Sequence, residues 1–146
     1  MARTLRAVAL SWFGLDTIPG SNIGPGLLLP HPNGIVIGKG TVIGSNVTIL
    51  QQVTFGEKYI SGDSNHGYPV LDDNVTIGAG AKVLGNVRLG EGTTVGANSV
   101  VLIDTPARSM VAGSPARVIR INGLPDPIQE TPKAKTKFSL PLVDQG

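Results

Sequence analysis

The residues of this chain best suited to proton transfer are its two histidines, His31 and His66. The chain has no cysteine, which excludes thiol chemistry and a disulfide framework. An imidazole titrates near neutral pH, so a neutral histidine can act as a general base that takes a proton from a hydroxyl group. His31 is followed by Pro-Asn-Gly, and His66 lies in a stretch of Gly, Asp and Asn. The competing interpretations are a structural histidine at the first position and a solvent-exposed loop histidine at the second.

A carboxylate could orient one of these imidazoles. Asp16 lies fifteen residues before His31. An aspartate that accepts a hydrogen bond from the second ring nitrogen holds a histidine base in the required tautomer. The alternative is that Asp16 caps a turn ahead of Thr17, which is a common use of aspartate. Both interpretations stay open at the level of the sequence.

A repeat of six residues must position these side chains. Apolar residues recur at this spacing in two runs, and most of them are followed by glycine. A period of six fits neither an α-helix nor a flat strand. It fits a chain that turns a corner every six residues and stacks its coils around one continuous core. The runs are Ile37, Ile43, Ile49 and Phe55, then Ile77, Val83, Leu89, Val95 and Val101.

Two interruptions break the repeat. Ile35 and Ile37 are only two residues apart, which predicts a small bulge at Gly34–Val36. Phe55 and Leu71 are sixteen residues apart, which is not a multiple of six. A loop is therefore predicted at residues 57–70.

The two ends of the chain lack the repeat. Leu5, Val8 and Trp12 recur at helical spacing, so residues 1–14 are predicted to form a short helix that caps the first coil. Residues 122–146 are rich in proline, and an extended tail is predicted there. The repeat itself then occupies residues 15–121.

Length and charge limit the classes of function. The 146 residues fit one domain, and a net charge of +2 is too small to indicate a nucleic-acid partner. No apolar run reaches the roughly 18 residues that a membrane span needs. Arg3 and Arg6 precede an apolar stretch, as in a signal peptide, but no A-x-A cleavage site follows. A cytoplasmic location is therefore expected.

Four segments of the chain resemble a known family. They are LDTIPGSNIGPG, HPNGIVIGKGTVIGSNVTILQQVTFG, IGAGAKVLGNVRLGEGTTVGANSVVL and AGSPARVI, within residues 15–119. The repeat is similar to that of the hexapeptide-repeat acyltransferases and, more narrowly, to the catalytic domain of serine acetyltransferase. The resemblance implies an all-β fold, a left-handed parallel β-helix with three hexapeptides in each triangular coil.

The same resemblance implies a catalytic site. His31, directly before GIVIG, matches the family's general base, and Asp16 in Asp16-Thr-Ile-Pro19 matches the aspartate of the catalytic dyad. With coils of about eighteen residues, the two side chains could lie on neighbouring rungs. His66 matches a second active-site histidine more loosely, because Gly67 and Tyr68 separate it from Pro69.

The resemblance also implies acetyl-CoA as co-substrate and a homotrimer with active sites between subunits. The cofactor is expected to lie along small residues in a groove between two helices. These are Gly56, Ala79 and Ala97, with Lys82 near phosphate, although small residues also occur at coil corners for packing alone. No metal is expected. Only about fifteen residues precede Asp16, so a trimer is expected rather than the hexamer built through a helical N-terminal domain.

Two positions depart from the serine acetyltransferase pattern. The family has an Asp directly before the first histidine and an Arg directly before the second, and both contact serine. Here these positions hold Pro30 and Asn65. The C-terminal isoleucine that docks into the cysteine-synthase partner is absent as well, so that partner is not expected. The acceptor is left open between a serine-like amino acid and a saccharide.

The function expected on these grounds is an acetyl-CoA-dependent O-acetyltransferase that works by general-base catalysis. The alternative is a non-catalytic β-helix used for assembly or for sugar binding. A zinc enzyme of the γ-carbonic anhydrase type needs three histidine ligands, and the chain has two histidines. That third class is therefore discounted.

Overall fold

A computed structural model describes residues 2–58 and 66–122, without the side chains of residues 2–5. Asn65, the middle of the predicted loop and all but the first residue of the predicted tail at 122–146 lie outside the described residues.

The described residues form one helix and fourteen short strands. The helix is α1 (Ala2–Phe13). The strands are β1 (Asp16–Thr17), β2 (Asn22–Ile23), β3 (Val36–Ile37), β4 (Val42–Ile43), β5 (Thr48–Ile49), β6 (Thr54–Gly56), β7 (Val70–Leu71), β8 (Thr76–Ile77), β9 (Lys82–Leu84), β10 (Arg88–Leu89), β11 (Thr94–Val95), β12 (Val100–Val101), β13 (Ser109–Gly113) and β14 (Ala116–Ile121).

Three sheets form the faces of a triangular prism over the described part of the chain. Sheet I has the order β1-β3-β6-β9-β12, sheet II the order β2-β4-β7-β10, and sheet III the order β5-β8-β11-β13-β14. Neighbouring strands are parallel, except that β13 and β14 form an antiparallel hairpin. The chain visits sheets I, II and III in turn, so each circuit is one coil of a parallel β-helix.

A regular coil is eighteen residues long, because Val36 pairs with Thr54 and Thr76 with Thr94. The loop between β6 and β7 lengthens one coil by ten residues, since Val42 pairs with Val70, twenty-eight residues on. The structure therefore has an interruption where the sequence predicts the loop at 57–70, and β7 resumes the coil at Val70.

The first interruption lies earlier than predicted. Leu28 pairs with Thr48, twenty residues on, whereas Val36 pairs with Thr54, eighteen residues on. Ile35 is fully buried, so the two extra residues precede it and lie within 30–34. The bulge predicted at Gly34–Val36 is wrong in position, because Ile35 and Ile37 both point into the core and their spacing of two is regular. The true insertion contains His31.

The core is a single column of apolar side chains between the three sheets. The second residue of most strands points inward, and Ile37, Ile49 and Phe55 are fully buried. The residue two positions earlier also points inward and is often small or polar, as at Thr41, Thr93 and Ser99. Each hexapeptide thus contributes one large and one smaller side chain, which fills a narrow core.

Helix α1 lies beside β1, where the Leu15 amide donates to the Ala9 carbonyl. The prediction that the helix packs on the coil through Val8 and Trp12 is wrong, because Val8 is 49% exposed and Trp12 is 79% exposed. The half-buried residues Arg6 and Ala9 face the coil instead, because Arg6 forms an ion pair with Asp16. No helix among the described residues has the length and apolar character needed to cross a membrane.

Candidate active site

His31 lies on the two-residue insertion, at the turn that leads from sheet III to sheet I. Pro30 and Pro32 restrict the backbone on both sides. The Asn33 amide donates to the His31 carbonyl at 2.7 Å, and the Asn33 carbonyl accepts from the Gln52 amide at 2.8 Å. The side chain is exposed. A tight turn anchored to the next coil thus presents the imidazole to solvent, where a substrate can reach it.

Asp16 is the first residue of β1 and pairs with Val36 of the next coil. Its carboxylate accepts two hydrogen bonds from Arg6 of α1, at 2.6 Å from Nε to Oδ1 and at 3.1 Å from Nη2 to Oδ2. The bond to Asp16 raises the pKa of the Arg6 guanidinium. Among the described residues, no hydrogen bond joins Asp16 to His31. The partner of this carboxylate within the chain is therefore the arginine.

His66 lies at the end of the loop between β6 and β7, on the turn that leads from sheet I to sheet II. Its side chain is 63% exposed, and its Nδ1 lies 3.7 Å from Oε1 of Glu57 at the other end of the loop. Because His31 lies on a different edge of the prism, one copy of the chain does not bring the two histidines together.

Tyr68 fixes the end of this loop. A Cβ added to Gly38 would lie 2.6 Å from the Tyr68 ring, and one added to Gly40 would lie 2.5 Å from it. The ring therefore lies flat against the backbone of the preceding coil, in space that only glycine leaves free. The two residues that separate His66 from Pro69 thus have a structural use, since they anchor the chain directly after the histidine.

Three of the four predicted cofactor residues lie on the same edge of the prism as His31. Ala79 and Ala97 occupy successive turns from sheet III to sheet I, and Lys82 begins the strand that follows the first of these turns. Neighbouring coils are about 4.8 Å apart. Gly56, at the end of β6, lies instead on the edge that carries His66.

The Lys82 ammonium donates to the backbone carbonyls of Gln52 and Gly80, each at 2.8 Å. An ammonium group has three donors, so one donor remains for a ligand. Ala97 is exposed and Ala79 half-buried. Around them the coils pack closely, because a Cβ added to Gly78 would lie 2.7 Å from the Ala97 amide nitrogen. This edge thus has a surface of backbone and small side chains.

A shallow cleft of about 270 Å³ adjoins His31 and is lined by Trp12, Phe13, His31, Pro32 and Asn33. From the sequence, Trp12 was predicted to lie on the helix face that packs on the first coil. Arg6 was noted only as a basic residue, and its contact with Asp16 was not predicted. Tyr68 counted only as an extra residue in the loop. The ten-residue interval between Arg6 and Asp16 gives no local signal of contact, since the contact depends on how α1 is docked.

Comparison with known proteins relates this geometry to a family. Residues 68–102 match the family described as bacterial transferase hexapeptide (six repeats). The serine acetyltransferase of Staphylococcus aureus (strain N315) is 40% identical over 140 residues, which cover 88% of this chain and 65% of that protein. The serine acetyltransferase of Escherichia coli (strain K12) is 46% identical over 114 residues, which cover 78% of this chain and 40% of that protein.

Solved structures give the same result. Soybean serine acetyltransferase in complex with serine matches with a TM-score of 0.73 and 46% identity, over 81% of this chain and 48% of that chain. The chain spans less than two thirds of the length of these relatives. The left-handed parallel β-helix that the family resemblance implies is confirmed. The chain thus contains a bacterial transferase hexapeptide repeat and is similar over most of its length to serine acetyltransferases.

Proposed function

We propose that the protein is an acetyl-CoA-dependent O-acetyltransferase that transfers an acetyl group to a hydroxyl of a small acceptor. The observation that carries the proposal is the placement of His31. The imidazole projects from the insertion on the one edge of the prism that also carries Ala79, Lys82 and Ala97. A general base and a surface suited to an extended cofactor arm therefore lie in line with each other.

In the proposed reaction, the neutral imidazole of His31 takes the proton of the acceptor hydroxyl. The hydroxyl oxygen attacks the thioester carbonyl carbon, so a C–O bond forms and a tetrahedral oxyanion develops. The C–S bond then breaks, and the CoA sulfur leaves with the proton from the imidazolium. The products are the acetyl ester and free CoA.

Asp16 is proposed to orient His31 as the second member of a dyad. Asp16 pairs with Val36, five residues after His31 in the chain. Arg6 uses one lone pair on each carboxylate oxygen, and each oxygen has another. The carboxylate can therefore accept a bond from the imidazole Nδ1–H while it keeps its arginine.

Acetyl-CoA is proposed to lie along the edge of small residues. Ala79 and Ala97 let an extended pantetheine arm approach the backbone, and the free donor of Lys82 can bind a phosphate oxygen. Gly56 lies on the other edge, so it can line the same groove only from a neighbouring subunit. No step of this mechanism uses a metal ion.

A homotrimer is proposed because the two candidate histidines occupy different edges of one chain. A site that contains both needs the edge with His31 from one copy and the edge with His66 from the next. In such a site His66 would bind the acceptor or polarise the thioester oxygen. The proposed location is the cytoplasm, where acetyl-CoA is available.

The test is CoA release from acetyl-CoA by the purified protein with L-serine, homoserine, amino sugars and nucleotide-sugars as acceptors. We expect His31→Ala to lower kcat by about 10²- to 10⁴-fold, which is the usual contribution of a general base. His66→Ala, measured in parallel, separates the two histidines. A wild-type protein that neither releases CoA nor binds acetyl-CoA by calorimetry would instead favour a non-catalytic β-helix.

A further inference from the structure

The loop between β6 and β7 begins with a carboxylate that lies beside His66. Glu57 is the first residue after β6, and its Oε1 lies 3.7 Å from Nδ1 of His66. Among the described residues, no other ion pair or hydrogen bond involves the Glu57 side chain. The carboxylate is the more sheltered partner, because the Glu57 side chain is 21% exposed and the His66 side chain 63% exposed. The imidazole is therefore the part of the pair that another molecule can reach.

Both ends of the loop are fixed on a single turn of the next coil. The residue that follows the glutamate, Lys58, packs against Gly85, where an added Cβ would lie 3.1 Å from the Lys58 Cβ. The residue that follows the histidine, Gly67, packs against Asn86, where an added Cβ on the glycine would lie 2.9 Å from the Asn86 Cβ. Because Gly85 and Asn86 are consecutive, their turn sets the separation of the two loop ends.

The preceding coil holds the histidine end of the loop from the other side. There the Tyr68 ring lies against the backbone of Gly38 and Gly40. The loop ends are thus packed between the coil before them and the coil after them. The approach of Glu57 to His66 therefore depends on the coils and not on the course of the loop between them.

A carboxylate beside one nitrogen of an imidazole decides what the other nitrogen can do. An ionised carboxylate only accepts hydrogen bonds, so Nδ1 must carry the proton if it is to donate to Glu57. In a neutral imidazole, Nε2 then has a free lone pair and acts as an acceptor. Hydrogen bonds of this kind are often long in the free enzyme and shorten when the substrate is bound, which agrees with the distance of 3.7 Å.

We propose that Glu57 is a positioning residue that keeps His66 in the tautomer with the proton on Nδ1. Nε2 of His66 then accepts a hydrogen bond from a donor group of the acceptor in the site shared with the neighbouring subunit. This assigns His66 to acceptor binding and not to polarisation of the thioester oxygen, because polarisation needs a donor at Nε2. The inference rests on the proposed function and the proposed trimer, and it specifies the role of His66 within them.

The tautomer can be measured without catalysis, because His31 and His66 are the only histidines of the chain. Imidazole nitrogen NMR shifts of the untagged protein at mildly alkaline pH distinguish Nδ1–H from Nε2–H, and His31→Ala leaves the signals of His66 alone. We expect Nδ1–H at His66 in this background and a change toward Nε2–H, which predominates in free histidine, when Glu57→Ala is added. Glu91→Ala is the matched control, because it removes the same side chain from the edge between sheets II and III. It should leave the tautomer unchanged.

Kinetics with acetyl-CoA and the acceptor that supports CoA release supply the second measurement. Glu57→Ala should raise KM for that acceptor by about 2- to 10-fold, the usual worth of one hydrogen bond, and should leave KM for acetyl-CoA unchanged. Glu57→Gln keeps an oxygen that can accept the bond from Nδ1–H, so it should lie between wild type and Glu57→Ala. Because Glu57 acts through His66, the double variant Glu57→Ala/His66→Ala should match His66→Ala.

An Nε2–H tautomer at His66 with Glu57 in place would overturn the inference. So would a tautomer that Glu57→Ala leaves unchanged. A double variant that binds the acceptor more weakly than His66→Ala would also overturn it, since Glu57 would then act apart from the histidine. The expected tautomers without any CoA release would keep the pair and remove the proposed acetyl transfer.

Discussion

The guanidinium of Arg6 binds both carboxylate oxygens of Asp16, at 2.6 and 3.1 Å. The pair joins the only described helix to the first strand of the β-helix and is partly shielded from solvent, with the arginine side chain 37% and the aspartate side chain 21% exposed. The same carboxylate is the proposed orienting group of His31. One residue thus links the docking of α1 to the candidate catalytic site.

The first prediction concerns Arg6→Ala. Without the guanidinium, Asp16 and the aromatic end of α1 lose their common anchor. We expect kcat/KM to fall by up to about 100-fold, the effect that a displacement of about 1 Å can have. Steady-state CoA release measures this. Because the bond to Asp16 raises the pKa of Arg6, the arginine stays charged throughout the working pH range, and the loss should not depend on pH.

The matched control is Arg88→Ala. Arg88 also forms a two-oxygen pair, with Asp72, at 3.1 Å from Nε to each oxygen, and likewise has a raised pKa from that bond. This pair lies on sheet II, away from His31. A fall in activity equal in the two variants would mean that Arg6 acts only on general stability. Arg6→Lys keeps the charge without the planar fork and should lie between wild type and Arg6→Ala.

The second prediction concerns Asp16→Asn. An asparagine of the same shape can hold the imidazole in the wrong tautomer, and such changes in dyads lower kcat by up to about 10⁴-fold. The double variant Arg6→Ala/Asp16→Asn separates the two uses of the carboxylate. If Asp16 serves only to hold Arg6, the double variant will match Arg6→Ala in kcat. If it also orients His31, the double variant will be slower than Arg6→Ala.

The hexapeptide positions of the core could be predicted from the sequence because the repeat is a local signal. Ile37, Ile43 and Phe55 fall on the period of six, and all three are buried. The position of the two-residue insertion, in contrast, could not be predicted correctly from the sequence. Ile35 and Ile37 are both buried, so the sequence does not tell a regular inward pair from a slip in the repeat.

The contacts of α1 were beyond sequence reasoning. Periodicity identified the helix, but Val8 and Trp12 are exposed and Arg6 faces the coil. The orientation of the helix depends on which of its side chains contact the first coil. Here it is set by the two hydrogen bonds of Arg6 to Asp16 and not by the apolar residues of the helix. The position of His31 beside exposed aromatic residues is likewise a tertiary property, since it arises from the docking of the helix.

The third prediction concerns Tyr68. Its ring lies against Gly38 and Gly40, so Tyr68→Ala should free the loop end and lower CoA release through the displacement of His66. Tyr68→Phe keeps the ring and should resemble wild type. Gly40→Ala should disturb the same contact, because the new Cβ would lie 2.5 Å from the Tyr68 ring. If all three variants keep full activity, the loop end does not position a residue of the site.

The fourth prediction concerns the core at Phe55, which is fully buried and among the largest of the buried side chains. Parallel pairing with β3 and β9 fixes the position of β6, so neighbouring side chains can fill a cavity at Phe55 only in part. We expect Phe55→Ala to lower the free energy of unfolding by about 3–5 kcal/mol. Urea denaturation at a fixed protein concentration measures this, since assembly would otherwise contribute.

Phe13→Ala is the matched control for this variant, because it removes the same side chain from a site that is 52% exposed. Surface substitutions usually change stability by no more than about 0.5 kcal/mol. Phe55→Ala should therefore lower the unfolding midpoint, whereas Phe13→Ala should leave it nearly unchanged. If Phe13→Ala destabilised the protein as much as Phe55→Ala, the loss would not depend on burial in the column between the three sheets, and the core would not be the main source of stability.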